Sequence, residues 1–147
     1  MQRIVKNIAE LIPIMEQHFE EALPFKLFPR GTSMLPTLRQ GIDSVLLVRS
    51  EKIKRFDIVM YKRKSGQIVL HRIIGKNKYG YILCGDHQLN PEYGIEAKQI
   101  IAKVLGYYKG STYIQSDSWK FVMSAIKIDF KRNTKRILNL LFHDEQT

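Results

Sequence analysis

The architecture follows most directly from residues 57–74, DIVMYKRKSGQIVLHRII. Two runs rich in β-branched and apolar residues flank a short polar segment that contains Ser65 and Gly66. Runs of this kind favour β-strands, and a connection of a few residues that includes glycine joins antiparallel neighbours. The segment therefore predicts a β-hairpin.

Similar short runs continue on both sides of this hairpin. They are VLLV at 45–48, YGYILC at 79–84 and IIAKVLGYY at 100–108, and turn residues separate them. Short strands at such spacing are typical of an antiparallel β domain. We therefore predict a mainly β fold, with a β-rich domain over residues 25–110.

Apolar residues at helical spacing flank this domain. Residues 1–24 are predicted to form an amphipathic helical arm, which Pro13 kinks or restarts. Residues 111–147 are predicted to hold a basic amphipathic helix. We expect its apolar side to pack on the domain, and docking on an anionic membrane surface is the open alternative. That side comprises Trp119, Val122, Met123, Ile126, Phe130, Ile137 and Leu141.

The composition excludes several classes of protein. With 147 residues, 44% of them hydrophobic, the chain suits one folded domain with short appendages. Cys84 is the only cysteine, so an intramolecular disulfide is impossible and a cross-linked secreted scaffold is excluded. No signal peptide and no apolar stretch of roughly 18 residues is visible. We therefore expect a cytoplasmic protein.

The formal net charge is +10, and residues 49–78 alone contribute ten basic and two acidic side chains. Such a balance favours anionic partners. Lysine-rich hairpin edges that discourage strand pairing explain it equally well. An alternative function is therefore a non-catalytic basic β module that binds an anionic surface, either a membrane or nucleic acid. Because no ordered repeat of aromatic and basic residues is present, we expect no specific nucleic-acid partner.

The most informative loop is GTSMLPTL at 31–38, which holds Ser33 between a glycine and a proline. A serine hydroxyl is a poor nucleophile unless a base removes its proton. His71 is the best of the four histidines for that task, because it lies inside a predicted strand where its ring would be held. Asp86 follows the next predicted strand and can orient the imidazole.

Each of these residues also has an ordinary structural explanation. Ser33 can be a turn serine, His71 a packed strand residue and Asp86 the start of a loop. Their occurrence together favours catalysis. Cys84, in a predicted strand, is expected to be buried rather than nucleophilic. No compact spacing of metal ligands is present, so we expect neither a metal nor a cofactor.

The order of the motifs G-T-S-M-x-P-T-L, G-x-D-x-V, D-I-V, L-H-R-I-I-G and G-D resembles that of signal peptidase I and the LexA-like serine peptidases. The resemblance runs from about Phe25 to Gly110 and is to the His-base, endoplasmic-reticulum-type branch, particularly its small unanchored bacterial members. It implies a coiled antiparallel β-sheet peptidase fold. It also implies that Ser33 is the nucleophile and His71 the general base, with Arg72 in a supporting role.

The same resemblance implies two acidic positions near the site. Asp86 matches the first and Glu92 lies nearest to the second, so the third catalytic member is one of these two, with Asp86 favoured. A peptidase of this type would cleave a peptide or protein through an acyl-enzyme, at a rate that rises with pH through about 6 to 7.

Two departures from the family bear on where such an enzyme would act. The Pro13-interrupted acidic arm stands where signal peptidases have a membrane anchor, so we do not expect processing of exported preproteins. Peripheral contact with the inner membrane face stays open. Because 30 residues stand before Gly31, we do not expect the DNA-binding domain of the LexA branch.

Overall fold

Residues 7–49 and 51–143 are described by a computed structural model of the protein. Helix α1 (Ile8–Glu20) precedes a β-sheet, and helix α2 (Trp119–His143) follows it. The strands are β1 (Phe25–Leu27), β2 (Ser44–Val48), β3 (Ile58–Lys62), β4 (Ile68–Asn77), β5 (Gly80–Cys84), β6 (Glu92–Ile95), β7 (Ile100–Lys109) and β8 (Thr112–Gln115).

The eight described strands form one antiparallel sheet. Its order is β1-β2-β7-β3-β4-β5-β6, and β8 pairs with β7. The predictions of a mainly antiparallel β fold and of two flanking helices are thereby confirmed. A specific peptidase fold stays a prediction.

The hairpin predicted over residues 57–74 is present as β3 and β4, with Met60 opposite Leu70. The Arg63 amide donates to the Gln67 carbonyl at 2.8 Å and closes the loop. Gly66 adopts a φ of +94°, in the left-handed region that glycine enters without steric cost. The turn residues therefore act as the sequence indicates.

Strands β6 and β8 were not anticipated from the sequence. Their segments, EYGI and TYIQ, are four residues long and lack a sustained apolar alternation. Pairing with β5 and β7 holds them in extended form. The sheet consequently continues to Gln115, past the end of the predicted β-rich segment at Gly110.

Strand β3 is buried on both faces of the sheet. Ile58 and Met60 belong to a large apolar cluster that also includes Met15 of α1. Val59 and Tyr61, which alternate with them, belong to a second cluster. A side chain of β4 that packs beside β3, such as that of His71, is therefore buried.

Helix α1 is continuous from Ile8 to Glu20, although Pro13 lies inside it. The Asn7 side chain caps its first turn by accepting from the Ala9 amide at 3.3 Å. The described part of the arm is thus helical, without a restart at the proline. Residues 1–6 of the predicted arm lie outside the described residues.

Helix α2 packs through a different side from the one expected. Phe121, Ala125 and Arg132 are its buried residues. Of the predicted apolar side, only Val122 is half-buried and the others are exposed. The expectation that this side packs on the domain is therefore wrong. Periodicity in the sequence shows that a helix has an apolar stripe. It does not show which side of the helix the sheet has space for, and here that side is the one with Phe121 and Ala125.

Asp43 anchors the segment that enters β2. Its carboxylate accepts hydrogen bonds from Arg39 Nε and Nη2, both at 2.9 Å, and from the Gly110 amide at 2.7 Å. The Arg39 hydrogen bond lowers the pKa of Asp43 to about 2. The ionised carboxylate therefore stabilises the folded protein.

We expect Asp43→Asn to lower the free energy of unfolding at neutral pH by about 1–3 kcal/mol, since it removes charge-assisted hydrogen bonds to a buried group. Because the folded pKa lies below the ordinary value of 3.8, the difference from wild type is full above that pH and disappears as the pH falls to about 2. Urea unfolding across this range measures it. Asp117→Asn, at an exposed aspartate, is the control, and equal stability of Asp43→Asn and wild type at pH 7 contradicts the assignment.

Candidate active site

Ser33 lies in the loop between β1 and β2 and is half-buried. Gly31 begins the loop with a φ of +84°, and its amide donates to the Gln40 side chain at 2.8 Å. The Leu35 amide donates to the Thr32 carbonyl at 3.1 Å, so a turn encloses the serine. The local sequence thus fixes the backbone on both sides of Ser33.

His71 lies on β4, opposite Val59, and only 2% of its surface is exposed. Its Nδ1 atom is 3.1 Å from the Tyr61 hydroxyl oxygen. Burial lowers the pKa of His71 to about 4, because the cationic ring loses its hydration. The imidazole is therefore neutral at physiological pH.

Ser33 and His71 line the same cavity, which has a volume of about 1020 Å³. In the described residues no hydrogen bond joins the serine hydroxyl to the imidazole. The polar lining includes Arg63 and Gln88. Most of the wall is apolar and is formed by Ile8, Leu11, Phe25, Leu27, Phe28, Met34, Leu38, Ile68, Val69 and Leu70. The structure therefore brings two of the three predicted catalytic residues to one opening.

Asp86, the third predicted residue, is committed to other partners. Its Oδ1 and Oδ2 atoms accept from Arg72 Nε and Nη2, each at 2.8 Å. Oδ2 also accepts from the Thr37 hydroxyl at 2.5 Å. Within the described part of the chain the carboxylate makes no hydrogen bond to His71. The role predicted for Asp86 in orienting the imidazole stays a prediction, and its contacts tie β4 to the serine loop.

Arg72 is buried beside this carboxylate. Its side chain is 2% exposed and that of Asp86 is 0% exposed. Its Nη1 atom also donates to the Phe56 carbonyl at 2.9 Å, and its guanidinium lies 5.0 Å from the centre of the Phe121 ring of α2. Because His71 and Arg72 are neighbours in a strand, they point to opposite faces of the sheet. Arg72 therefore holds Asp86 on the face of the sheet opposite to His71, and its supporting role in catalysis stays a prediction.

The loop that follows β5 packs directly on the serine. The His87 amide donates to the Ser33 carbonyl at 2.8 Å. A Cβ atom on Gly85 would lie 2.6 Å from that same carbonyl oxygen, closer than van der Waals contact allows. Glycine at position 85 is therefore what permits this approach.

Helix α2 holds the same loop through Arg132. Its Nε atom donates to the Gln88 carbonyl at 3.0 Å, and its Nη2 atom donates to the Gly85 carbonyl at 3.1 Å. Arg132 is itself held by Asp129 at 3.1 Å. Hydrogen bonds thus connect the backbone of Ser33, through the loop after β5, to Arg132 of α2.

Tyr61 and Glu92 extend the surroundings of His71. Burial, followed by the Glu92 charge, raises the pKa of Tyr61. Arg63 holds that glutamate, with Nε 2.8 Å from Oε1. Glu92 is the alternative to Asp86 that the sequence left open for the third catalytic position, whereas Tyr61 was not predicted to lie near His71. Its strand, β3, is the predicted partner of β4, so the hairpin was the signal that could have found it.

Other candidate chemistries find no support in the described residues. Burial raises the pKa of Cys84, which disfavours the reactive thiolate. Across residues 7–49 and 51–143, no group of three or more His, Cys, Asp or Glu side chains is placed to hold a metal ion. Neither described helix combines the length and apolar character needed to cross a bilayer.

No protein-family model, curated protein or solved structure matches this chain. The resemblance to signal peptidase I and LexA-like peptidases therefore rests on the ordered motifs. The catalytic roles of Ser33, His71 and Asp86 stay predictions.

We expect Asp86→Asn to lower the free energy of unfolding by about 3–5 kcal/mol, because it leaves the Arg72 cation buried without its counter-charge. Equilibrium unfolding in urea at pH 7 measures this loss. The double variant Arg72→Met/Asp86→Leu should recover part of it, since it removes both charges. The Asp117→Asn variant is again the control. A loss below about 1 kcal/mol for Asp86→Asn would show that the pair does not support the fold.

Proposed function

We propose that this protein is a serine endopeptidase, with Ser33 as nucleophile and His71 as general base. The observation that carries the proposal is the placement of both residues on the wall of one cavity, where the ring of His71 is buried and neutral. Serine becomes a nucleophile when a neighbouring base accepts its proton. The ordered motifs that resemble signal peptidase I support the same assignment.

The surroundings of His71 favour the tautomer that a general base needs. We propose that the Tyr61 hydroxyl oxygen, 3.1 Å from Nδ1 of His71, accepts a hydrogen bond from Nδ1–H. This leaves the lone pair on Nε2, the other ring nitrogen, to accept a proton. The negative charge of Glu92 raises the pKa of His71, in opposition to the larger effect of burial.

The reaction would proceed by acyl transfer. The Ser33 oxygen attacks the carbonyl carbon of the substrate, and His71 takes the hydroxyl proton. When the tetrahedral intermediate collapses, the carbon–nitrogen bond breaks and His71 returns the proton to the leaving amine. Water, deprotonated by His71, then attacks the ester on Ser33. This releases the acid and restores the serine.

The developing oxyanion requires hydrogen-bond donors close to Ser33. Within the described part of the chain, the backbone N–H of Ser33 donates to no acceptor. It is therefore available to the oxygen of the intermediate. The hydrogen bond from His87 to the Ser33 carbonyl and the close approach of Gly85 hold the next peptide unit, between Ser33 and Met34, in place.

The cavity favours a substrate segment with apolar side chains. Its walls are mainly aliphatic and aromatic, and Arg63 and Gln88 supply polar groups at the same opening. An extended peptide would bury its apolar side chains there and keep its backbone near those polar groups. The family resemblance adds the expectation of a small side chain beside the cleaved bond.

We expect cells that make the wild-type protein to contain protein N-termini that are absent when Ser33→Ala is made at the same abundance. Mass spectrometry of N-termini in the two samples measures this without a chosen substrate. Peptides spanning a cleavage site then serve as substrates for purified enzyme. Ser33→Ala and His71→Ala should each lower kcat by roughly three or more orders of magnitude, and the double variant should lose little more.

The matched controls are Ser65→Ala and His87→Ala, whose side chains are exposed. His87→Ala also keeps the backbone amide that bonds Ser33. Both controls should retain full activity. Multiplicative losses in the Ser33 and His71 double variant would show that the residues do not act as a pair. Identical N-termini in the two samples under several growth conditions would count against peptidase activity.

We expect kcat/KM to rise with pH through about 4, where His71 loses its proton. The expectation of a rise through about 6 to 7 used the ordinary pKa of histidine and is corrected by burial of the ring. Because the protonated base is inactive, the rate falls on the acid side of this value and is level above it. Initial rates on a peptide that spans the cleavage site, measured at pH values around 4, give the acid limb of the pH profile. Each enzyme sample is then returned to neutral pH to verify that its loss of activity is reversible. A limb that begins only in the alkaline range would exclude His71 as the base.

A further inference from the structure

Helix α2 has an apolar face directed away from the domain. Phe121, Ala125 and Arg132 are buried against the protein. At 3.6 residues per turn, a second set of side chains lies roughly on the opposite side of the helix. This set, here called the outer face, consists of Trp119, Met123, Ile126, Phe130, Ile137 and Leu141.

All six residues of the outer face are exposed. The exposed fractions reach 73% for Trp119, 74% for Phe130 and 62% for Leu141. Single exposed apolar residues are normal, but a continuous stripe marks an interaction surface. The stripe has members from the first residue of the helix to its last turn, with Asn133 and Thr134 between Phe130 and Ile137. From Ile137 to His143 every residue is exposed, including Leu138, Leu140 and Phe142.

A row of lysines borders the outer face. At 3.6 residues per turn, Lys120 and Lys127 lie beside the outer face, and Lys131 and Lys135 lie further round on the same flank; all four are exposed. Asp129, the only acidic residue between Trp119 and His143, is bonded to Arg132 at 3.1 Å and to Arg55 at 3.4 Å. The border of the apolar stripe is therefore positive, without an acidic row to balance it.

We propose that the outer face of α2 docks on an anionic phospholipid membrane. The helix would lie in the plane of the bilayer, with Trp119, Phe130 and Leu141 at the boundary between head groups and acyl chains. The lysine row would contact the phosphates. An apolar stripe, a basic border and an aromatic residue at the edge are the features of helices that bind membranes in this way.

Charge favours lipid over a second copy of the chain. A dimer through the outer face would bring two lysine-bordered helices together, and α2 offers no free carboxylate to pair with them. An anionic bilayer supplies the missing negative charge. The same reasoning disfavours a partner helix of similar composition.

The other side of α2 would couple the membrane to the candidate site. Arg132, on the packed side, donates to the Gly85 and Gln88 carbonyls in the loop that bonds Ser33. Docking through the outer face would therefore hold this loop at a constant distance from the lipid surface. The docking proposal itself does not require the peptidase function.

The test is sedimentation of the full chain with vesicles. One set contains phosphatidylcholine alone, and the other contains equal parts of phosphatidylcholine and phosphatidylglycerol. We expect wild type to bind the anionic vesicles and to remain in solution with the neutral ones. The double variant Phe130→Glu/Leu141→Glu should bind at least about tenfold more weakly, and so should Lys127→Gln/Lys131→Gln/Lys135→Gln. All these positions are exposed, and thermal unfolding verifies that the variants fold.

The matched control is Tyr79→Glu, at an aromatic residue 69% exposed in the turn between β4 and β5. It should bind as wild type does. Ser33→Ala should also bind normally, so that failure of the peptidase proposal is distinguishable from failure of docking. Equal binding to both vesicle types, no binding, or full binding by Phe130→Glu/Leu141→Glu would overturn the proposal. The proposal would also be overturned if the wild type formed a dimer that does not bind vesicles, and if Phe130→Glu/Leu141→Glu converted this dimer to a monomer.

Discussion

The buried ion pair between Arg72 and Asp86 joins the parts of the protein that meet at the candidate site. Arg72 comes from β4, and Asp86 comes from the loop after β5. Thr37 brings the serine loop to the same carboxylate, and Phe121 brings α2 to the guanidinium. A buried charge is tolerated only when its partners are complete, so each of these elements constrains the others. The candidate site is therefore built on a polar centre inside a mainly apolar fold.

Burial also determines what the candidate residues can do. In water His71 would be partly protonated near neutral pH, whereas inside the sheet it is neutral. Under the proposed function, the Tyr61 hydroxyl accepts from Nδ1–H and leaves Nε2 free. Removal from water thus keeps the ring unprotonated, and it also makes His71 a weaker base than an exposed histidine. The charges of Glu92 and Asp86 both raise the pKa of His71 against the larger effect of burial, and the Asp86 carboxylate is hydrogen-bonded to Arg72 and Thr37.

Helix α2 contributes to the protein through both of its sides. Its packed side completes the core with Phe121 and supports the loop after β5 with Arg132. Its outer face carries apolar residues that no described part of the chain covers. The proposed docking on lipid would give this outer face a role. One helix would then link the position of Ser33 to the location of the protein on a surface.

Local pattern was sufficient to predict the strands of the hairpin at residues 57–74 and the two flanking helices, and it singled out Ser33 and His71, which line one cavity. These follow from features that neighbours in the chain supply: alternation, turn glycines and the loop around Ser33. Strands β6 and β8, the partner of Asp86, the contribution of Tyr61 and the exposed side of α2 were decided by tertiary structure. Each depends on which distant residue comes into contact and on how much water is excluded there. A single sequence carries no direct signal of such contacts, because they form only when the chain is folded.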